Sequence, residues 1–335
     1  MFAVYVSHAG SGEIRVLRLD ANGALDAVQN VELGGQVMPM ALSPDRRFLY
    51  AARRSAPLAV ASFSIDPTSG ALTALGEAPL PHSMAYLATD RSGRWLFCAS
   101  YGDDRVAVAA IGADGVAGAP HQVLATGRHA HAIQADPSNR VVYATALGAG
   151  VMVCYRFEPE HGLLTPADPP VFIARAGASP RHFVFSLDGR FIYLLNELDA
   201  RIDVISREAG SLRTVQTVDT LPTDFAGVPW AADLHLAPGG THLVASERRS
   251  STLVMFDVDT GTGRLTLNGR CATESEPRGF AVTPDGRFVV VAGQSSGRIA
   301  VLAMAPHLRP VGAAPAGAKP NWVEVVALSS RSATG

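Results

Sequence analysis

Cysteine is scarce in this chain, charge is sparse, and no apolar run is long. Each shortage excludes something. Three cysteines in 335 residues, Cys98, Cys154 and Cys271, stand far apart in apolar runs. An odd, scattered set fits buried thiols in a reducing compartment, not a disulfide frame or a zinc site. Charged residues make up 17% of the chain and the net charge is -2. A nucleic-acid surface needs a basic face, so no nucleic-acid partner is expected. No apolar run approaches the roughly 20 residues that span a bilayer, so no membrane partner is expected either. The start, MFAVYVSHAG, turns polar at Ser7-His8, too early for a secretory core. The expectation is a cytoplasmic protein.

Familiar catalytic signatures are missing too. There is no GxSxG elbow, no Walker loop, and no GxGxxG ahead of a helix. No close His/Cys/Asp set suggests a metal, and no stretch carries helical periodicity of useful length.

What is present is a repeat. SPDRRFLY from Ser43, TDRSGRWLF from Thr89, DPSNRVVY from Asp136, SLDGRFIY from Ser186, APGGTHLV from Ala237 and TPDGRFVV from Thr283 are one turn written six times. Their starts lie 46 to 51 residues apart, the spacing of propeller blades. Runs rich in Val, Phe, Tyr and Ile flank each turn, as hairpins require. A further strand follows each copy, for example RVAVAAIG, RIDVISRE and RIAVLAMA. A seventh unit is split between the chain ends. WVEVVAL, from Trp322 to Leu328, reads as an inner strand without a successor. AVYVSHAGSGEIRVLRLD near the start reads as second and third strands without an inner one. The prediction is an all-β, seven-bladed propeller over residues 1–328, four antiparallel strands per blade, with the last blade closed by both termini. Closure removes exposed sheet edges. The tail from Ser329 to Gly335 is expected to be disordered.

In such a ring, inner-strand starts and the elbows between second and third strands meet at one channel mouth. The inner starts read Gln36/Pro39, His82/Ser83, His129/His131, Arg181/His182, Trp230/Asp233, Arg278 and Asn321/Trp322. The elbows read His8, Arg53/Arg54, Tyr101/Asp103, Leu147/Gly148, Asn196/Glu197, Glu247/Arg248 and Gln294. Arginine presents a planar fork to carboxylate or phosphate, so this mouth is expected to bind an anion. Each residue also has a structural role open to it. Arg181 and Arg278 can bond neighbouring carbonyls, Glu197 can neutralise an arginine, and His131 can be a satisfied core histidine. The Asp-Gly-Arg turns are read as structural.

Long stretches then carry a resemblance: GQVMPMALSPDRRFLY, SPRHFVFS, YLLNELDARIDV, PWAADLHLAPGGTHL, EPRGFAVTPDGRF, VVAGQSSGRIAV and the terminal NWV. Over nearly its whole length the chain resembles the bacterial propeller-type 6-phosphogluconolactonases, relatives of the fungal carboxymuconate-lactonizing enzymes. The resemblance implies hydrolysis of 6-phospho-D-glucono-1,5-lactone, a small sugar lactone as partner, no cofactor and no metal. It implies His131, Arg181 and Glu197 as catalytic residues; ester hydrolysis needs an activated water and a stabilised oxyanion, so Glu197 or His131 is read as base and Arg181, with Arg278, as oxyanion donor. Arg248, Arg278, Arg53, Asp233 and Gln294 are then substrate-binding candidates. The elbow Leu147 to Gly150 departs from the pattern, lacking the basic residue that such a lactonase carries there; the pair Arg53-Arg54 is available to compensate. Two rivals stand beside this reading. One is a lactonase for an unphosphorylated lactone or a muconate-type lactonizing enzyme. The other is a non-catalytic interaction platform, which predicts a neutral channel mouth. The oligomeric state is not set by the sequence.

Overall fold

The structure is a computed structural model and describes residues 1–208 and 211–329. The expected disorder beyond Ser329 lies outside the described residues. Seven sheets of four antiparallel strands surround a central axis. The blade carrying the fullest repeat has strands Pro180–Phe185, Phe191–Asn196, Arg201–Glu208 and Ser211–Asp219. The split blade forms as predicted. Pro320–Ala327 pairs with Phe2–His8 from the other end of the chain, with Val325 opposite Val4.

The core is divided among the joints between blades. Seven apolar clusters are present, and each packs strands of two neighbouring blades. Between the fourth and fifth blades, Tyr193, Leu195 and Val204 meet Leu243, Ala245 and Phe256. Each blade therefore depends on its neighbours, and only the closed ring buries both faces of every sheet.

The recurring turns are structural. Asp188 Oδ1 accepts the Arg190 backbone N–H at 3.0 Å and the Ser186 hydroxyl at 2.7 Å. Gly189 has φ 70°, where a side chain would be strained. The arginine does more than decorate the surface: Arg190 donates to the Thr260 and Gly261 carbonyls of the next blade at 2.9 and 3.2 Å. The only helical element among the described residues is one 3₁₀ turn, Leu147–Ala149, at the departing elbow.

A second regularity matters more for function. Each turn is closed by a backbone bond, from the N–H of Ser43, Asp90, Asp136, Ser186, Ala237 and Thr283 to the carbonyl five residues later. Five residues before these positions stand Met38, Ala85, His131, Arg181, Ala232 and Arg278. At all of these but Ala85 the inner-strand ladders break register, as between Pro180 and Phe183 or between Ala130 and Ala132. These are β-bulges, which re-aim side chains. In an even strand Arg181 and His182 would face opposite sides. Here Arg181 lines a cavity at one mouth and His182 lines a second cavity below it that runs toward the turns, with Arg46 and Arg91 in its lining. Thr145 braces the bulge: its hydroxyl accepts from Ala132 N–H at 3.0 Å and donates to the Arg181 carbonyl at 2.7 Å.

Candidate active site

The mouth cavity has a volume of about 180 Å³. Arg54, Tyr101, His131, Arg181, Glu197, Trp230, Arg248 and Arg278, with Ala85, line it. They come from six blades. Inner strands supply His131, Arg181 and Arg278, and elbows supply Arg54, Glu197 and Arg248. The elbows are matched by one bond in five of the blades: the N–H of Arg54, Gly148, Glu197, Arg248 and Gln294 donates to the carbonyl of Gln36, Arg128, Ser179, Trp230 and Glu276.

Glu197 is the single carboxylate among these residues. Its Oε2 accepts from Arg181 Nε at 2.7 Å and lies 3.3 Å from Arg248 Nη2. Its Oε1 accepts the Trp230 indole N–H at 3.0 Å. Burial raises the Glu197 pKa, but Arg181, Arg248 and Trp230 outweigh it, so the carboxyl stays ionised below its ordinary range. Arg248 is held on every side. It donates to the Trp230 and Ala231 carbonyls at 3.1 and 3.0 Å, and it lies 3.6 Å from the centroid of the Trp230 ring. Arg181 donates to the Ala232 carbonyl as well as to Glu197.

Arg278 differs from the others. Half-buried at the mouth, its side chain makes no hydrogen bond to any protein group among the described residues, although its fork carries five N–H donors. Burial, then Arg181 and Arg54, push its pKa down to about 9. Burial and Arg181 push Arg248 down to about 8. Guanidinium does not surrender its proton at neutral pH. The shifts instead reflect burial first, and then the gathering of the cations Arg54, Arg181, Arg248 and Arg278 near one carboxylate. An anion relieves that gathering of charge, and Arg278 has donors to offer it.

His131 is 5% exposed, and its Nδ1 is buried without a partner among the described residues. The other nitrogen, Nε2, is therefore the one available to the cavity. Burial, then Arg181, His182 and Arg278, hold its pKa well below 6.5. The ring is neutral at pH 7 and carries a free lone pair. Glu197, by contrast, has both oxygens engaged by donors. The two base candidates are thus separated by their surroundings.

The structure moves three of the sequence candidates. Arg53 ends its strand pointing away from the mouth and pairs with Glu77 at 2.9 Å. Arg54, one residue later, occupies the elbow position and reaches the cavity. A shift of one residue exchanges the two faces of a strand. Asp233 lies below the mouth, in the deeper cavity, bonded to His182 at 2.7 Å and to His235 at 3.1 Å. Gln294 holds the equivalent elbow place but is not among the residues that line the cavity. Trp230 was visible only as an inner-strand start. Its function as the plate joining Glu197 to Arg248 needed three-dimensional contacts.

Buried neutral histidines also make the fold acid-sensitive. His8 and His182 are both pushed down to about 4, chiefly by burial. A depressed histidine pKa means the unfolded chain takes up the proton first, so stability is lost as pH falls below about 6.5. Each histidine is expected to contribute roughly 2 kcal/mol of loss between pH 7 and pH 5. Urea midpoints measured at the two pH values, with His8→Gln as comparison, check this.

Residues 2–325 match the family model described as "Lactonase, 7-bladed beta-propeller". The chain is 40% identical over 330 residues to a 6-phosphogluconolactonase of Pectobacterium carotovorum, covering 97% of this chain and 98% of that protein. It is 38% identical to a 6-phosphogluconolactonase of Serratia proteamaculans, covering 97% and 98%. Among solved structures, the periplasmic gluconolactonase of Pseudomonas aeruginosa superposes with a TM-score of 0.91 at 31% identity, covering 98% and 99%. With blades, closure and cationic mouth in place, this chain belongs to the lactonase family of seven-bladed β-propellers.

Proposed function

We propose that the protein hydrolyses 6-phospho-D-glucono-1,5-lactone to 6-phospho-D-gluconate, acting as a carboxylic ester hydrolase. The observation that carries this is the unpartnered Arg278 fork among four arginines that share one carboxylate. Such a mouth suits a phosphorylated lactone, and it argues against the neutral mouth of an interaction platform. The relatives of similar length carry the name of the same enzyme.

His131 takes a proton from water, whose oxygen attacks the lactone carbonyl carbon. Charge builds on the carbonyl oxygen, where Arg181 stabilises it. The ring C–O bond then breaks, and His131 returns the proton to the leaving ring oxygen. The new carboxylic acid ionises. Arg278 and Arg54 hold the phosphate. Glu197, saturated by donors, keeps Arg181 and Arg248 aimed and does not take the proton. The basic residue missing from the Leu147 elbow is replaced by Arg54. Cytoplasmic residence belongs to this proposal and rests on the three free thiols, of which Cys98 and Cys154 are buried.

Turnover of phosphorylated and unphosphorylated glucono-1,5-lactone, compared in a pH-stat, tests the substrate. The phosphorylated lactone is expected to have the higher kcat/KM, and Arg278→Gln to raise its KM by roughly 10²-fold, as the loss of a charge-assisted bidentate contact does. Arg54→Ala should also raise KM, whereas Arg53→Ala should not. A second reading, an unphosphorylated lactone, is favoured by the Pseudomonas aeruginosa gluconolactonase. Equal rates on both lactones, unmoved by Arg278→Gln, would decide for it.

A further inference from the structure

The mechanism above leaves one buried chain of polar groups unused. It runs down the channel axis from His131. His182 is 4% exposed and Asp233 6% exposed, yet both are polar and central. His182 Nδ1–H donates to Asp233 Oδ1 at 2.7 Å. Asp233 is fixed in turn by the Leu234 N–H at 3.0 Å and by His235 Nε2 at 3.1 Å. The Tyr86 ring packs edge-on against His182 at 5.0 Å and the Trp322 ring lies tilted against His182 at 5.8 Å, which holds the imidazole in place.

A histidine that donates from Nδ1 presents a bare Nε2 when neutral. The Nε2 of His182 is buried and has no partner among the described residues. The Nδ1 of His131 is buried and has none either. The two rings lie 5.1 Å apart, edge to face. Buried polar atoms rarely go unpaired. No hydrogen bond joins the two rings in this structure; the pairing open to these atoms is with each other, with His131 as donor and His182 as acceptor.

We infer that Asp233 and His182 are positioning residues that set the tautomer of His131: Asp233 takes the Nδ1–H of His182, His182 Nε2 takes the Nδ1–H of His131, and His131 Nε2 is left bare toward the lactone. This deepens the reading of His131 as general base and rests on it. The bulge at Arg181-His182 is what makes the chain possible, since it lets one strand place a cation at the mouth and an imidazole beneath it. The arrangement has a second consequence. When His131 holds the water proton, the charge sits above an acceptor backed by an ionised carboxylate. Asp233 stays ionised because His235 and His182 outweigh its burial. The cations facing His131 from the other side, Arg181 and Arg278, oppose that charge, so the support from below has something to offset.

The test is a long-range ¹H–¹⁵N correlation spectrum of the full-length protein labelled with ¹⁵N-histidine, with His131 and His182 assigned through His131→Gln and His182→Gln. In wild type both rings are expected as the Nδ1–H tautomer. Asp233→Asn and His182→Gln should each shift His131 toward the Nε2–H form. Each should lower kcat on the phosphorylated lactone roughly 10- to 100-fold with KM little changed. A wild-type His131 found as Nε2–H, or a His131 spectrum unmoved in both variants, overturns the inference. The spectrum of wild type decides even if a variant fails to fold. Full activity of His131→Gln would instead remove His131 as the base, and the spectra would still report whether the chain sets its tautomer.

Discussion

Arg181→Ala is expected to lower kcat by about 10²- to 10³-fold, the usual cost of losing one oxyanion donor. Arg181 is the most enclosed of the cations, with a side chain 2% exposed. It sits where the inner strands of the third and fifth blades converge on the mouth. The folded state should nevertheless survive. Removing one partner of a buried pair is destructive when it leaves the other charge alone. Here Glu197 keeps Arg248 at 3.3 Å and the Trp230 N–H at 3.0 Å. The reverse change is different: Glu197→Ala leaves Arg54, Arg181, Arg248 and Arg278 with no carboxylate among them and should destabilise strongly. Arg181→Lys should recover little, because an ammonium cannot serve both Glu197 and the Ala232 carbonyl from one planar fork. A thermal unfolding curve beside the kcat value separates chemistry from folding. Wild-type turnover in a folded Arg181→Ala protein would place the reaction elsewhere.

His131→Gln is expected to cost about 10²- to 10⁴-fold in kcat, the range for a lost general base. The pH profile carries the sharper information. A base works only when unprotonated, so activity is present above its pKa and is lost as pH falls through it. Burial and the neighbouring Arg181, His182 and Arg278 hold His131 well below 6.5. The profile of kcat/KM should therefore stay level through neutral pH and fall only in acid. Arg181→Ala removes the largest charge opposing protonation. The residual activity of that variant should lose its acid limb at a higher pH than wild type does. If Glu197 were the base instead, the same substitution would remove a cation that stabilises its charged form. The limb would again move up, but His131→Gln would then leave it in place.

The sequence by itself determined the ring. The turn recurs because each blade needs the same hairpin, and a hairpin is a local matter of Asp, Gly and β-branched strands. The orphan strand at one end and the strand pair lacking a partner at the other required closure. Arg181 and Glu197 could be brought to one mouth from hairpin geometry alone, since they lie sixteen residues apart across a single turn. The tertiary structure decided what local rules do not encode. Alternation gave no way to choose between Arg53 and Arg54, because the choice rests on the position of the last ladder bond. Asp233 could not be separated from the mouth residues, because the bulges that turn Arg181 upward and leave its neighbour facing down arise from the packing of blades around an axis. The division of labour between His131 and Glu197 was hidden for the same reason. One is unpaired and the other saturated only after six blades deliver their side chains to the same cavity. Periodicity reports what each blade does alone, and the chemistry belongs to what the blades do together.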